Sequence, residues 1–110
     1  METYIVSFSL EVSKDLKQRY EAIVEKLKGL GSEKECDVVQ FTKTCFLVRY
    51  FNRKRDFIRD LVTKELKKGN SDGRVLVIEV ARSAWTCHWE DKNNDAELGR
   101  KLRKMISEED

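Results

Sequence analysis

The chain has 110 residues, with 22 Lys and Arg against 20 Asp and Glu, three cysteines, five glycines and no proline. That length is one domain and excludes a two-domain enzyme with an interdomain cleft. A net charge of +2 gives no warrant by itself for nucleic-acid or membrane binding, and the 40% of hydrophobic residues, arriving in patterned clusters, exclude a disordered chain despite 38% charged residues.

The cysteines, Cys36, Cys45 and Cys87, form no CxxC pair and have no zinc-ligand spacing. Together with an opening that carries no secretory signal pattern, they predict reduced thiols and a cytoplasmic location. No apolar run approaches the roughly 20 residues that span a bilayer.

Thr3 to Leu10 alternates and is rich in β-branched and aromatic residues, which predicts a first strand with at least one buried face. Ser13 is a suitable N-cap for a helix whose apolar stripe is Leu16, Tyr20, Ile23, Val24 and Leu27, ended at Gly29 or Gly31. Cys36 to Phe41 and Cys45 to Phe51 read as two strands of a hairpin joined through Thr42-Lys43, which lacks the Asn-Gly chemistry of the tightest turns.

Asn52 suits the cap of a second helix with Phe57, Ile58, Leu61, Val62 and Leu66 on its apolar face and Gly69 as its stop. Turn chemistry at 70–73 precedes Arg74 to Ala81, nearly continuous in apolar residues, the pattern of a central strand paired on both edges. The order β-α-β-β-α-β over 3–81 predicts a ferredoxin-like α+β sandwich, a four-stranded antiparallel sheet with two helices on one face. Ser83 to Trp89 adds an extra C-terminal strand. Asp95 to Ile106, with Leu98, Leu102, Met105 and Ile106 on one stripe, adds a third helix.

Tyr4 to Phe8, the helix ending Leu30-Gly31, the second hairpin strand, and Val75 to Val80 followed by Ala84-Trp85 resemble the SinR-like proteins. These are small ferredoxin-fold proteins related to the CRISPR-associated adaptation subunit that partners the spacer integrase, and to the virulence-associated D ribonucleases. The resemblance covers most of 3–89. It implies a homodimer in which a strand after the fourth crosses to the partner's sheet, a place that Ser83 to Trp89 occupies. In that family the first strand ends in an acidic residue that binds a divalent ion across the dimer axis. This chain has Phe8-Ser9-Leu10 there, and a serine hydroxyl is a poor ligand for a hard cation. The departure counts against metal-dependent cleavage, although Glu11 offers an offset carboxylate.

Between Arg49 and Lys68 eight cations stand against three acidic residues, a local charge of +5. Arg53, Lys54 and Arg55 sit at the predicted start of a helix, where the macrodipole disfavours positive charge. One reading is a phosphate-backbone grip by Arg49, Arg53, Lys54 and Arg55. The other is a solvated helix whose cations are offset by Asp56 and Asp60. A second basic cluster, Arg100, Lys101, Arg103 and Lys104, lies near a helix C-terminus and is explained by the dipole.

The same strand order belongs to the RNA-recognition motif, but Lys43 to Tyr50 matches its third strand only at Lys43, Val48 and Tyr50; Phe46 and Tyr50 read as core or dimer-face residues. His88 is the single histidine, which rules out a histidine metal cage within one subunit, and its neighbour Cys87 points to the opposite face of a strand. Trp85, Cys87 and Trp89 share one face and suit a dimer interface or packing within the monomer beneath the third helix.

The expectation is a single domain over 1–110, non-enzymatic, without metal or small-molecule cofactor and without a membrane. It acts as a homodimeric binding module of a mobile-element or defence-related system that contacts nucleic acid through a basic ridge. The alternatives are a divalent-metal-dependent endoribonuclease and a protein-only interactor such as a viral inhibitor of a host defence complex.

Overall fold

The computed structural model describes residues 2–32, 36–50, 55–68, 72–80 and 96–107. The elements are β1 (Glu2–Leu10), α1 (Leu16–Leu30), β2 (Cys36–Thr42), β3 (Cys45–Tyr50), α2 (Arg55–Leu66), β4 (Gly73–Val80) and α3 (Ala96–Ser107). The four strands form one sheet in the order β2-β3-β1-β4, and every neighbouring pair is antiparallel. The protein is therefore a mixed α+β domain with a four-stranded antiparallel sheet and three described helices.

Strand alternation divides the side chains between two cores. Tyr4, Val6 and Phe8 of β1 and Phe46, Val48 and Tyr50 of β3 point to one face, where they meet Ile23, Leu27 and Leu30 of α1 and Ile58 and Val62 of α2. The helix residues recur at i and i+4 or i+3, so each helix buries one stripe. α1 lies over β2, and α2 over β4. On the other face, Val39 and Leu47 pack with Leu102 and Met105 of α3, with Ile5 and Phe41 at the margin. β3 is thus covered from both sides, which explains its unbroken Phe46-Leu47-Val48 run.

Local details depart from the sequence expectation for identifiable reasons. Ser13 is not the cap of α1: its hydroxyl donates to the Asp15 carboxylate at 2.6 Å, and Asp15 occupies the cap position without a side-chain cap bond. The hairpin connection is Lys43-Thr44 rather than Thr42-Lys43, because the register shifts between Gln40 and Thr42. The Gln40 amide steadies that irregularity by donating to the Tyr20 hydroxyl at 3.1 Å. Gly73 opens β4 in a tight place: a Cβ there would lie 2.5 Å from Leu66 Cδ2 and 3.1 Å from the Ser9 carbonyl oxygen, so the Leu66 side chain and the β1 backbone would have to give way.

β4 was expected to be a central strand. Among the described residues it pairs only with β1 and so lies at the sheet edge, with Leu76 58% and Ile78 44% exposed on the face that α3 covers elsewhere. A continuous apolar run does not distinguish these arrangements, since Val75 and Val77 alone face the main core. The expected strand at Ser83 to Trp89, with Trp85, Cys87 and Trp89, lies outside the described residues. Among the described residues no helix is long and apolar enough to cross a membrane.

Candidate nucleic-acid interface

α2 forms because Phe57, Ile58, Leu61, Val62 and Leu66 bury one stripe, which leaves its charged residues on the outer side. Its first described residue is Arg55, so Asn52, Arg53 and Lys54 lie outside the described residues. Arg55 is exposed. Arg59 donates to Asp60 at 3.0 and 3.1 Å and lies 3.7 Å from Asp56. Lys68 reaches Glu65 at 3.0 Å. The offset-charge reading therefore holds for Arg59 and Lys68. Arg55, Lys64 and Lys67 have no carboxylate partner within ion-pair distance among the described residues.

Arg49 is placed differently from the rest of the expected ridge. It belongs to β3, is 4% exposed, and stands opposite Asp37 in the β2–β3 register. Alternation puts it on the Leu47 face of the sheet, away from α2. A phosphate contact needs an accessible guanidinium, and Arg49 does not present one; the opposed Asp37 supplies a cross-strand charge pair position instead. The ridge therefore loses Arg49.

Arg55 shares its surroundings with acidic groups. Tyr4, buried beneath this end of the sheet, has its phenol pKa pushed up by burial and then by the Glu2 and Glu79 carboxylates, with the Arg55 charge acting in the opposite sense.

The family-like acidic position lies at the opposite end of β1. Ser9, Leu10, Glu11, Asp72, Gly73 and Arg74 line an open depression of about 480 Å³. The Glu11 amide donates to the Asp72 carbonyl at 3.0 Å, which closes the β1–β4 ladder and brings the two acidic residues side by side in the chain path. Ser9 and Arg74 face each other across that ladder. Among the described residues no group of three or more His, Cys, Asp or Glu is arranged to hold a metal ion. Of the cysteines, Cys45 is half-buried and its thiol pKa is pushed up by burial, the opposite of what a nucleophile requires.

Sequence reasoning missed one convergence. The start of α1 and the end of α2 lie together, joined by Arg19, whose Nη1 is 3.9 Å from the Glu65 carboxylate and 3.5 Å from the Glu65 carbonyl oxygen. Glu65 is buried, and Arg19 also stands 3.8 Å from Asp15. Arg19 and Glu65 are 46 residues apart in sequence, so charge counted along one segment does not reveal the tie. The separation of Arg19 and Glu65 into two helices with facing charged positions was the available signal.

No protein-family model, curated protein or solved structure gives a significant match to this chain.

Proposed function

We propose that the chain is a ferredoxin-like βαββαβ domain with a C-terminal extension, acting as a non-enzymatic, homodimeric binding module that contacts nucleic acid through a basic surface. The strand order β2-β3-β1-β4, the antiparallel pairing and the placement of α1 and α2 on one face support the ferredoxin-like part. The observation that carries the binding reading is the surplus of exposed cations without carboxylate partners among the described residues, Arg55 and Lys64 of α2 and Lys67 just after it, in a segment where Arg53 and Lys54 adjoin in sequence. A merely solvated helix would offset them as it offsets Arg59. Assignment to a mobile-element or defence-related system rests on the resemblance of Tyr4 to Phe8 and Val75 to Val80 to the SinR-like proteins.

Fluorescence anisotropy with labelled oligonucleotides tests the reading. Affinity should fall steeply with salt and weaken when Arg53, Lys54 and Arg55 are all replaced by Ala; salt-independent binding would sink the phosphate grip. Sedimentation velocity reads the dimer, and a pull-down that recovers a specific protein without nucleic acid would favour the protein-only interactor.

A second reading, the divalent-metal-dependent endoribonuclease, is favoured by one observation: Glu11 and Asp72 adjoin at the depression that ends β1. It requires magnesium- or manganese-dependent cleavage that disappears in Glu11→Ala. RNA and DNA left intact across both metals would eliminate it.

A further inference from the structure

α3 carries Arg100, Lys101, Arg103 and Lys104 against Glu97 alone, a net charge of +3 over its 12 residues. α2, of the same length, balances Arg55, Arg59 and Lys64 with Asp56, Asp60 and Glu65 inside its helical span. Leu102 and Met105 are buried against Val39 and Leu47, which fixes the inward side of α3. At about 100° per residue, Arg100 is turned about 160° from Leu102 and about 140° from Met105, and Arg103 about 100° and about 160° from the same two. Arg100 and Arg103, three positions apart, thus share the outward side, with Lys101 at its flank, and all three are exposed.

Helix stability does not require this arrangement. The dipole favours cations in the last turn of α3, 104–107, and its effect fades beyond that turn, which Arg100, Lys101 and Arg103 all precede. The acidic residues at 108–110 follow five or more positions after Arg103, outside the i, i+3 and i, i+4 spacings at which helix side chains meet. Arg100 has no carboxylate within ion-pair distance among the described residues, whereas Arg59 on α2 has two. Cations held on one side of a helix match what a phosphate backbone requires.

The geometry points to the outward side of α3 as a second phosphodiester-backbone contact, made by Arg100 and Arg103 with Lys101 at its flank. The inference rests on the reading that the partner is nucleic acid and adds a separate surface to it. α3 packs on the Val39 and Leu47 face of the sheet, and α2 on the opposite face through Ile58 and Val62, so their outward sides look away from each other and form no common ridge. One protomer therefore holds two nucleic-acid segments, one on each side of the sheet. α3 contains no aromatic residue, so its surface stacks no base, and the contact is with the sugar-phosphate chain, independent of base sequence.

The test is anisotropy with labelled DNA stem-loops of two unrelated sequences, each with a stem of about one helical turn, or about 10 base pairs. At saturation the wild type should bind two stem-loops per protomer, and Arg100→Ala/Arg103→Ala should bind one. To isolate the α3 contact, affinity is then titrated from about 50 to about 300 mM salt in a background with Arg53, Lys54 and Arg55 replaced by Ala. Adding Arg100→Ala/Arg103→Ala there should make the slope of log affinity against log salt shallower by about two, while Arg100→Lys/Arg103→Lys, which keeps both charges, should preserve it. Lys26→Ala/Lys28→Ala, exposed lysines on α1, serve as the control and should leave stoichiometry and slope unchanged. Thermal midpoints recorded alongside show that each variant is folded. A single stem-loop per wild-type protomer, or a slope unaltered by Arg100→Ala/Arg103→Ala in that background, overturns the α3 contact and leaves the α2 surface standing. Absence of wild-type binding at the lowest salt overturns both.

Discussion

Replacing Glu65 by Gln isolates the buried charge that joins α1 to α2. The carboxylate is 5% exposed and faces two cations of unequal standing: Lys68 at 3.0 Å is 60% exposed, whereas Arg19 at 3.9 Å is 16% exposed. The exposed pair contributes at most about 1 kcal/mol. Loss of the buried partner leaves the Arg19 guanidinium in a desolvated position, for which about 3–5 kcal/mol is the range when no compensation exists. Here Asp15 remains at 3.8 Å and the Glu65 carbonyl still accepts from Arg19, so the expected loss is nearer to 2 kcal/mol. The Arg19 Nε, buried without a hydrogen-bond partner, leaves no slack in that site.

Urea denaturation should therefore show a lower midpoint at an unchanged slope, and the thermal midpoint should drop by roughly 8–16 °C. A double-mutant cycle with Arg19→Met should give a coupling of about 1–2 kcal/mol. A Glu65→Gln variant within about 0.5 kcal/mol of the parent protein, with no coupling to Arg19, would refute the tie as a stabilising element.

Three further outcomes are expected. Leu102→Ala removes a fully buried side chain from the second core and should cost about 2–5 kcal/mol, read by denaturation together with loss of the α3 contribution to far-UV circular dichroism. Gly73→Ala sets a methyl against Leu66 and the Ser9 carbonyl and should destabilise by about 1–3 kcal/mol; a neutral result would mean that the β1–β4 end relaxes freely. Because the phenol pKa of Tyr4 is raised on folding, its contribution is complete below about pH 10 and is lost as pH rises through the higher folded value. Alkaline unfolding should accordingly be less steep in Tyr4→Phe, as followed by tyrosinate absorbance and circular dichroism.

The sheet and helices were legible because alternation at Tyr4, Val6 and Phe8 and the stripes through Ile23 and Ile58 each repeat a single period. α3 was legible for the same reason, to within one residue at each end. What it packs against was not, since Val39 and Leu47 look like interior residues whichever face they occupy. The candidate surface was legible only as a local excess of charge. Counting cations from Arg49 onward joins a residue buried in β3 to residues outside α2, because a charge tally ignores the alternation that turns Arg49 away. It also takes no account of helix packing, which brings Arg19 of α1 against Glu65 of α2.

The strand order has a consequence for how the chain acquires its structure during synthesis. β1 lies between β3 and β4, so the first of the four strands to be synthesised has no sheet partner until residues beyond Cys45 have emerged, and its second partner waits until Val80. The β2–β3 hairpin, by contrast, closes locally and forms the template on which β1 docks. At about 5–20 residues per second, the apolar Tyr4 to Phe8 segment spends seconds unpaired. Its fate in that interval depends on early burial by α1, so substitutions that weaken Ile23 or Leu27 should lower the soluble yield more than their cost to the finished fold would suggest.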